Sequence, residues 1–342
     1  MNNGDINNKI IRSICYFTNT PDMGIAERIE YVAGKLANSG YEIQTRRICS
    51  TGIKIKDIAS AFQDPSLYLS VGSLNRKSAR SQVADFMGAG NVAFNLDLSR
   101  NVLPEDTEFL FSIIDEQPQK TFNFTYTFNN AYSSPYFPSA AYKENGFAVG
   151  LQPTDLSENC ESIDAWLRKM KEVWNEIDAL FQPDRDFLGI DSSIAPLFTG
   201  KSSLIYFIKK IYNSFPRSVT QDLYLRITDF IKRDNPKPIG LCGVMFPCLE
   251  DFELADEYER GNFPIERNIY LSLHSGLGID TYPIGVDESR NRVFEILCLL
   301  QGLSQKYAKP LSARFISDGA AKIGEKTELN NQYLKDVVIR PL

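Results

Sequence analysis

Residues 122–128 read FNFTYTF. In an extended chain successive side chains point to opposite faces. Phe122, Phe124, Tyr126 and Phe128 therefore share one side, and Asn123, Thr125 and Thr127 the other. A strand buried on both faces of a parallel sheet is apolar throughout; this one is not. The pattern recurs upstream, where Val92, Phe94 and Leu96 oppose Asn95 and Asp97, and Leu67, Leu69 and Val71 oppose Ser70. The apolar faces can pack on helices, leaving the polar faces inside a curved or closed sheet, where they would line a hydrated cavity or ligand site. An ordinary sheet with one partly exposed face is the competing reading. The expectation is a closed sheet with Asn95, Asp97, Asn123 and Thr125 turned into its lumen.

Working outward, KIIRSICYF (9–17), YEIQTRRICS (41–50), LYLSVGS (67–73) and VAFNLDL (92–98) precede this strand, with helical periodicity between them. FAVGLQP (147–153), FLGID (187–191), LSARFI (311–316) and DVVIR (336–340) follow. Alternating β and α segments predict an α/β fold, a mostly parallel sheet of about ten strands with helices outside. The clearest helix spans 162–181, where Ile163, Trp166, Leu167, Met170, Val173, Trp174, Ile177 and Leu180 make one apolar stripe. Residues 129–146, NNAYSSPYFPSAAYKENG, form a long loop rich in aromatics and Pro. QPDRD (182–186) is the expected joint between pseudo-halves 9–181 and 187–342 of a single domain covering 1–342.

The chain of 342 residues is 43% hydrophobic and 23% charged, the balance of a globular protein. A formal charge of −6 argues against a nucleic-acid surface, which needs clustered Lys and Arg. The start, MNNGDINNKIIR, lacks a signal-peptide core, and no apolar run approaches membrane-spanning length, so a cytoplasmic protein with no membrane partner is expected. The six cysteines are scattered without a Cys-x-x-Cys pair, which fits reduced buried thiols and disfavours a zinc site. The expected partner is a small-molecule ligand, and a homo-oligomer is compatible with this composition.

Candidate chemistry gathers in 237–285, KPIGLCGVMFPCLEDFELADEYERGNFPIERNIYLSLHSGLGIDTYPIG. Strand ends are favoured ligand positions in α/β sheets. Asp191, Ser192 and Ser193 end one strand, Glu250 and Asp251 open an acidic helix, and Asp280 follows a Gly-rich turn. Each has a structural alternative as a cap or turn residue. If Asp191, Glu250, Asp251 and Asp280 converge, a divalent cation such as Mg²⁺ or Mn²⁺ neutralises them, or one retains a proton. His274, the only histidine, could serve as a general base or as a satisfied structural residue. Arg46 and Arg47 could meet an anionic substrate or pair at the surface. APLFTGKS (195–202) fits a loose phosphate-loop pattern, but Pro196 lacks an N–H and Leu197 and Phe198 are bulky.

Four runs, GIDSSIAPL (189–197), LCGVMFPCLED (241–251), GLGIDTYPIG (276–285) and ARFISDGAAKIGEK (313–326), resemble the domain-of-unknown-function 711 family, the UPF0210-like proteins; TRRICS (45–50) is a fainter match. The resemblance implies a pyruvate formate-lyase-like barrel of two five-stranded parallel halves, without the radical machinery. Asp191, Gly243, Pro247, Glu250, Asp251, Gly278, Asp280, Arg314, Lys322 and Gly324 match its pattern, which adds Arg314 and Lys322 to the expected ligand-binding set of Arg47, Asn95, Asp97, Asn123, Ser192 and Ser193. The bacterial relatives show Ser and Val at the positions of Cys242 and Cys248, and Asp at that of Lys201, which weakens a cysteine mechanism and the phosphate loop. The resemblance names no reaction. Three readings follow: a small-molecule enzyme with a carboxylate-rich, possible metal-assisted site; a non-catalytic small-ligand or regulatory protein; and a nucleotide binder through Ala195–Ser202.

Overall fold

The computed structural model describes residues 9–342. Ten strands run in chain order: β1 (Lys9–Thr18), β2 (Tyr41–Ile43), β3 (Arg46–Ser50), β4 (Leu67–Leu74), β5 (Val92–Asp97), β6 (Phe124–Phe128), β7 (Gly146–Leu151), β8 (Phe187–Asp191), β9 (Gly278–Pro283) and β10 (Leu311–Ile316). They form one sheet in the order β8-β7-β1-β3-β4-β5-β6-β10-β9, with β2 also paired to β1. β1, β3, β4, β5 and β6 are mutually parallel. β7 is parallel to β8, and β9 to β10. The two sets meet through antiparallel pairs, β1 with β7 and β6 with β10. The fold is thus mixed α/β, with helical crossovers supplying the parallel connections.

The regular ladder ends at β8 and β9. Segment 238–251 lies between them and touches both edges through isolated parallel bridges: Ile190 with Pro238 and Ile194 with Val244 on one side, Val244 with Gly276 and Pro247 with Asp280 on the other. Pro238 and Pro247 have no N–H to donate to a ladder, which explains why the apolar run 239–248 is not a regular strand. At the C-terminus the expected strand 336–340 is reduced to one antiparallel bridge, Lys326 with Val338.

The alternation of FNFTYTF holds from Phe124 onward. Phe94, Phe109, Phe124 and Tyr126 pack ring against ring on the helix side, with centroids 4.9–5.7 Å apart. The Tyr126 hydroxyl donates to the Asp106 carbonyl at 2.7 Å, which satisfies its one polar atom. The expected helix is Ile163–Phe181, capped by Ser162, whose Oγ accepts from Ala165 N at 3.2 Å, and its stripe is buried apart from Leu180, which is half-buried. Phe122 departs from the expectation. Pro118 starts a 3₁₀ turn through Asn123, the strand begins only at Phe124, and Phe122 leaves the aromatic face.

The face turned away from the helices is not a hydrated lumen. Much of the loop 129–145 fills it: Ser133, Ser134, Pro135, Tyr136, Pro138, Ala140 and Ala141 are buried. A buried loop must have its backbone polar groups satisfied, and inward-facing strand residues do this. Ser13 Oγ donates to the Pro135 carbonyl at 2.7 Å. Asn95 Nδ2 donates to the Pro138 and Ala140 carbonyls, both at 3.0 Å, while its Oδ1 accepts from Thr127 Oγ1 at 3.0 Å. The Tyr136 hydroxyl donates to the Leu151 carbonyl at 2.8 Å, in space that exists because residue 150 is Gly; a Cβ there would meet the Tyr136 ring at 2.7 Å. Asn95 and Thr125 thus point inward as expected. Asp97 does not: it is exposed at the end of β5 and accepts from the Ser99 N–H at 2.9 Å.

Asn95→Ala leaves two buried loop carbonyls without their donor. We expect a loss of about 2–4 kcal/mol in chemical denaturation, with faster hydrogen exchange confined to the 133–141 backbone. A change under 0.5 kcal/mol would show that the loop does not depend on this anchor.

Candidate functional site

A cavity of about 110 Å³ opens where loop 129–145, segment 241–250 and both strand sets meet. That is room for about four water molecules. Its charged lining residues are Arg12, Arg47, Glu250, Asp280 and Arg314. Phe122, Tyr68, Tyr136, Phe137, Met245, Phe246 and Leu277 supply most of the apolar wall.

Two β-bulges aim the charges. Between β1 and β7 the register steps from Ile11–Leu151 to Ser13–Gly150, leaving Arg12 as the extra residue. Between β10 and β9 it steps from Ala313–Ile279 to Phe315–Tyr282, so Asp280 and Thr281 together face Arg314. Bulges re-aim side chains and concentrate beside functional sites. Thr281 carries φ 40°, a sparsely populated value for a β-branched residue, directly after Asp280.

Arg314 Nε lies 2.7 Å from Asp280 Oδ1, and Nη2 lies 2.7 Å from the same oxygen and 2.6 Å from Glu250 Oε1. Arg12 Nη2 reaches the other Glu250 oxygen at 3.0 Å. The result is a chain, Arg12–Glu250–Arg314–Asp280, linking β1 to β9 and β10. Burial pushes the Asp280 carboxyl above its ordinary range, opposed by Arg314 and reinforced by Glu250. Arg47 differs from the other two arginines. It is 9% exposed, its Nε donates to Thr45 Oγ1 at 3.0 Å, and its guanidinium lies 5.0 Å from the Phe137 ring centre and 5.9 Å from that of Tyr68. Among the described residues no carboxylate lies within ion-pair distance of it and its Nη nitrogens have no hydrogen-bond partner. Burial and the neighbouring Arg12 charge lower its pKa to about 10.

The four expected carboxylates divide. Asp191 is fully buried and accepts from Ser134 Oγ (2.7 Å), Ser193 Oγ (2.6 Å) and N (3.0 Å), Leu241 N (2.9 Å) and Cys242 N (3.1 Å). It pins segment 241–243 to the end of β8. Gly240 is what permits this: its φ is 77°, and a Cβ would sit 2.3 Å from Asp191 Oδ2. Asp251 caps two helices at once, accepting from Ser203 Oγ (2.5 Å) and Leu204 N (3.0 Å) of Leu204–Tyr212 and from Glu253 N and Leu254 N (both 3.3 Å) of Phe252–Glu259. Only Glu250 and Asp280 reach the cavity. Among the described residues no three His, Cys, Asp or Glu side chains are grouped to hold a metal ion.

The other expected residues also separate. Asn123 and Arg314 line the cavity. Ser192 Oγ is spent on the Ile231 carbonyl at 2.9 Å, and Ser193 Oγ on Asp191 and the Gly243 N–H. His274 ends the helix Ile265–His274, with Nδ1 2.8 Å from Ser275 Oγ, and is absent from the cavity wall. Lys322 is exposed in the C-terminal segment. In the 195–202 loop, Leu197 N donates to the Ser202 carbonyl at 3.1 Å and Phe198 N to that of Glu250 at 2.7 Å, so these N–H groups cradle no phosphate. Lys201 pairs with Glu158 at 3.0 Å at the surface. Arg12 is the charged residue that sequence reasoning missed; a charge in the middle of the run, three residues after Lys9 in KIIRSICYF, was its one signal.

A second cavity of about 300 Å³ lies behind Phe122, which belongs to both walls. Asp318, on its lining, is spent on the N–H groups of Ala320, Ala321 and Glu328.

Fold and cavity together define a mixed α/β protein with a recessed, arginine-rich pocket between two parallel strand sets. The family model described as Uncharacterised ACR (DUF711) matches residues 111–330, more than half of the chain, and the protein belongs to that family. The match contains Glu250, Asp280 and Arg314 but begins after Arg12 and Arg47. No curated protein matches the chain. Among the described residues no helix is long and apolar enough to cross a membrane.

Burial outweighs the donors around Asp251 and raises its pKa to about 7. An unfolded Asp ionises near about 4, so between these values the folded state holds the extra proton. This group's contribution to stability is therefore present at pH 4 and lost as pH rises toward 7. Denaturation of wild type and Asp251→Asn at pH 4.5 and pH 7.5 should show wild type losing more stability across that interval. Parallel losses would mean Asp251 folds as an ordinary ionised cap.

Proposed function

We propose that the protein is an enzyme acting on a small organic anion held in the 110 Å³ cavity. The observation that carries this reading is Arg47, a buried guanidinium with no carboxylate within ion-pair distance among the described residues, on the wall that also holds Asp280. A buried cation with no counter-ion is costly unless a ligand completes it. Arg47 anchors the anion, the aromatic wall excludes water, and Asp280 exchanges a proton with the bound molecule. Its raised pKa suits that role, since a carboxyl ionising nearer neutrality can both give and take a proton. Glu250, held between Arg12 and Arg314, fixes the position of Arg314 and through it of Asp280. A divalent cation would have to displace Arg314 from both carboxylates. The six free cysteines support a reducing, cytoplasmic setting.

The non-catalytic alternative draws support from Arg314, which already occupies Asp280 and Glu250, and from the lack of a nucleophile–base pair on the wall. Incubating purified protein with a cell extract separates the two. Wild type should consume an anionic metabolite that Asp280→Asn retains but leaves intact. Retention by both proteins without consumption would make this a binding protein, and retention by neither would remove the cavity reading.

A further inference from the structure

Arg47 has a fixed geometry as well as a charge. Its Nε is spent on Thr45 Oγ1, and its guanidinium is held against the rings of Phe137 and Tyr68. What remains is the pair of Nη nitrogens, whose parallel N–H bonds match the two oxygens of one carboxylate. The other guanidinium groups are spent on Glu250 and Asp280. Among the described residues no lysine lines the cavity. A phosphate dianion, with three oxygens and nearly two charges, would find one unspent cation and one donor edge. A monocarboxylate would find both its charge and its oxygens matched.

The rest of the wall describes the remainder of the molecule. A carboxylate bound end-on lies in the guanidinium plane, and a body conjugated to it continues in that plane. Phe122, Phe137, Tyr68 and Leu277 offer flat or apolar surfaces to such a body. Asn123, Thr125, Ser139 and Ser312 add a few neutral polar groups to the lining, enough for an isolated hydroxyl, whereas a highly charged body would lose its water against the apolar surfaces without a counter-charge.

We propose that the substrate is an organic monocarboxylate whose carboxylate is joined to a flat, unsaturated or aromatic body, bound end-on to Arg47. This deepens the preceding reading and rests on its assignment of the cavity. Asp280, at the other charged part of the wall, then faces the body of the ligand while the carboxylate stays on Arg47.

The test uses benzoate, cyclohexanecarboxylate and inorganic phosphate as probes, each titrated against the full-length protein by ligand-observed NMR. Wild type should bind benzoate saturably, cyclohexanecarboxylate several-fold more weakly, and phosphate without saturation. Arg47→Gln should abolish benzoate binding and Arg47→Lys should weaken it at least tenfold, because an ammonium cannot make the paired contact. Phe137→Ala should weaken benzoate while leaving the chain folded, as checked by thermal melting. Saturable phosphate binding that depends on Arg47, with no benzoate binding, would overturn the monocarboxylate while keeping the anion site. Equal affinity for the two carboxylates would overturn the flat body. Binding of neither anion by folded wild type would overturn both this proposal and the reading beneath it.

Discussion

Four charges in series, Arg12–Glu250–Arg314–Asp280, hold together parts of the chain that the regular ladder leaves apart. Arg12 comes from β1, Glu250 from the irregular segment between the sheet edges, Arg314 from β10 and Asp280 from β9. Removing several ions from water is expensive, and their attraction recovers this only where every partner is in place. Each end residue here has one neighbour and each inner residue has two. Truncating an inner member leaves the end residue beside it, Arg12 or Asp280, without its partner. A chain of this kind specifies one arrangement more than it adds stability, and it holds the cavity wall at a fixed shape.

The second constraint is the loop 129–145 inside the sheet. Its backbone brings polar groups into a place where water cannot reach most of them, so the strands must answer with side chains. Ser13 and Asn95 answer carbonyls with donors, and Thr127 holds the Asn95 oxygen. On one side of this interior Cys15, Phe17, Cys49 and Ala148 form an apolar cluster with Ala140. The loop therefore shrinks the interior to a pocket at one end. The same loop supplies Phe137 to that pocket, which couples how the lumen is filled to how Arg47 is held.

Much of the fold is legible in the alternation of FNFTYTF and its relatives, because period-two patterning is a direct consequence of the pleat. The inward turn of Asn95 and Thr125 follows from it. What fills the space they face does not, since a Pro- and aromatic-rich loop reads equally well as a surface excursion. The carboxylates show the same limit. Asp191 and Asp251 look like Asp280 in sequence, each at a strand end or helix start, and only the donors brought from distant segments reveal that two are structural. Asp280 and Arg12 are selected by bulges, which are one-residue register steps between strands with no local signature. Asp97 fails for a simpler reason: it ends its strand, where the chain turns and the lumen no longer encloses it.

The charge of the pocket changes sign between the part of the chain that the family model matches and the part before it. Within residues 111–330 the wall carries Glu250, Asp280 and Arg314, two negative groups against one positive. That set alone would repel an anion. Arg12 and Arg47 come from the first two long strands of the parallel set, outside the matched region, and reverse the balance. Arg12 is consumed in neutralising Glu250, so among the described residues Arg47 is the lining arginine with no carboxylate within ion-pair distance. In a recessed site charge interactions weaken far less than in bulk solvent, so on the proposed reading this charge would weigh most in which ligand is held. On the proposed reading, the residue that holds the anion comes from the N-terminal strands and the carboxylate that exchanges the proton from the family-matched segment. Neither part makes the pocket without the other.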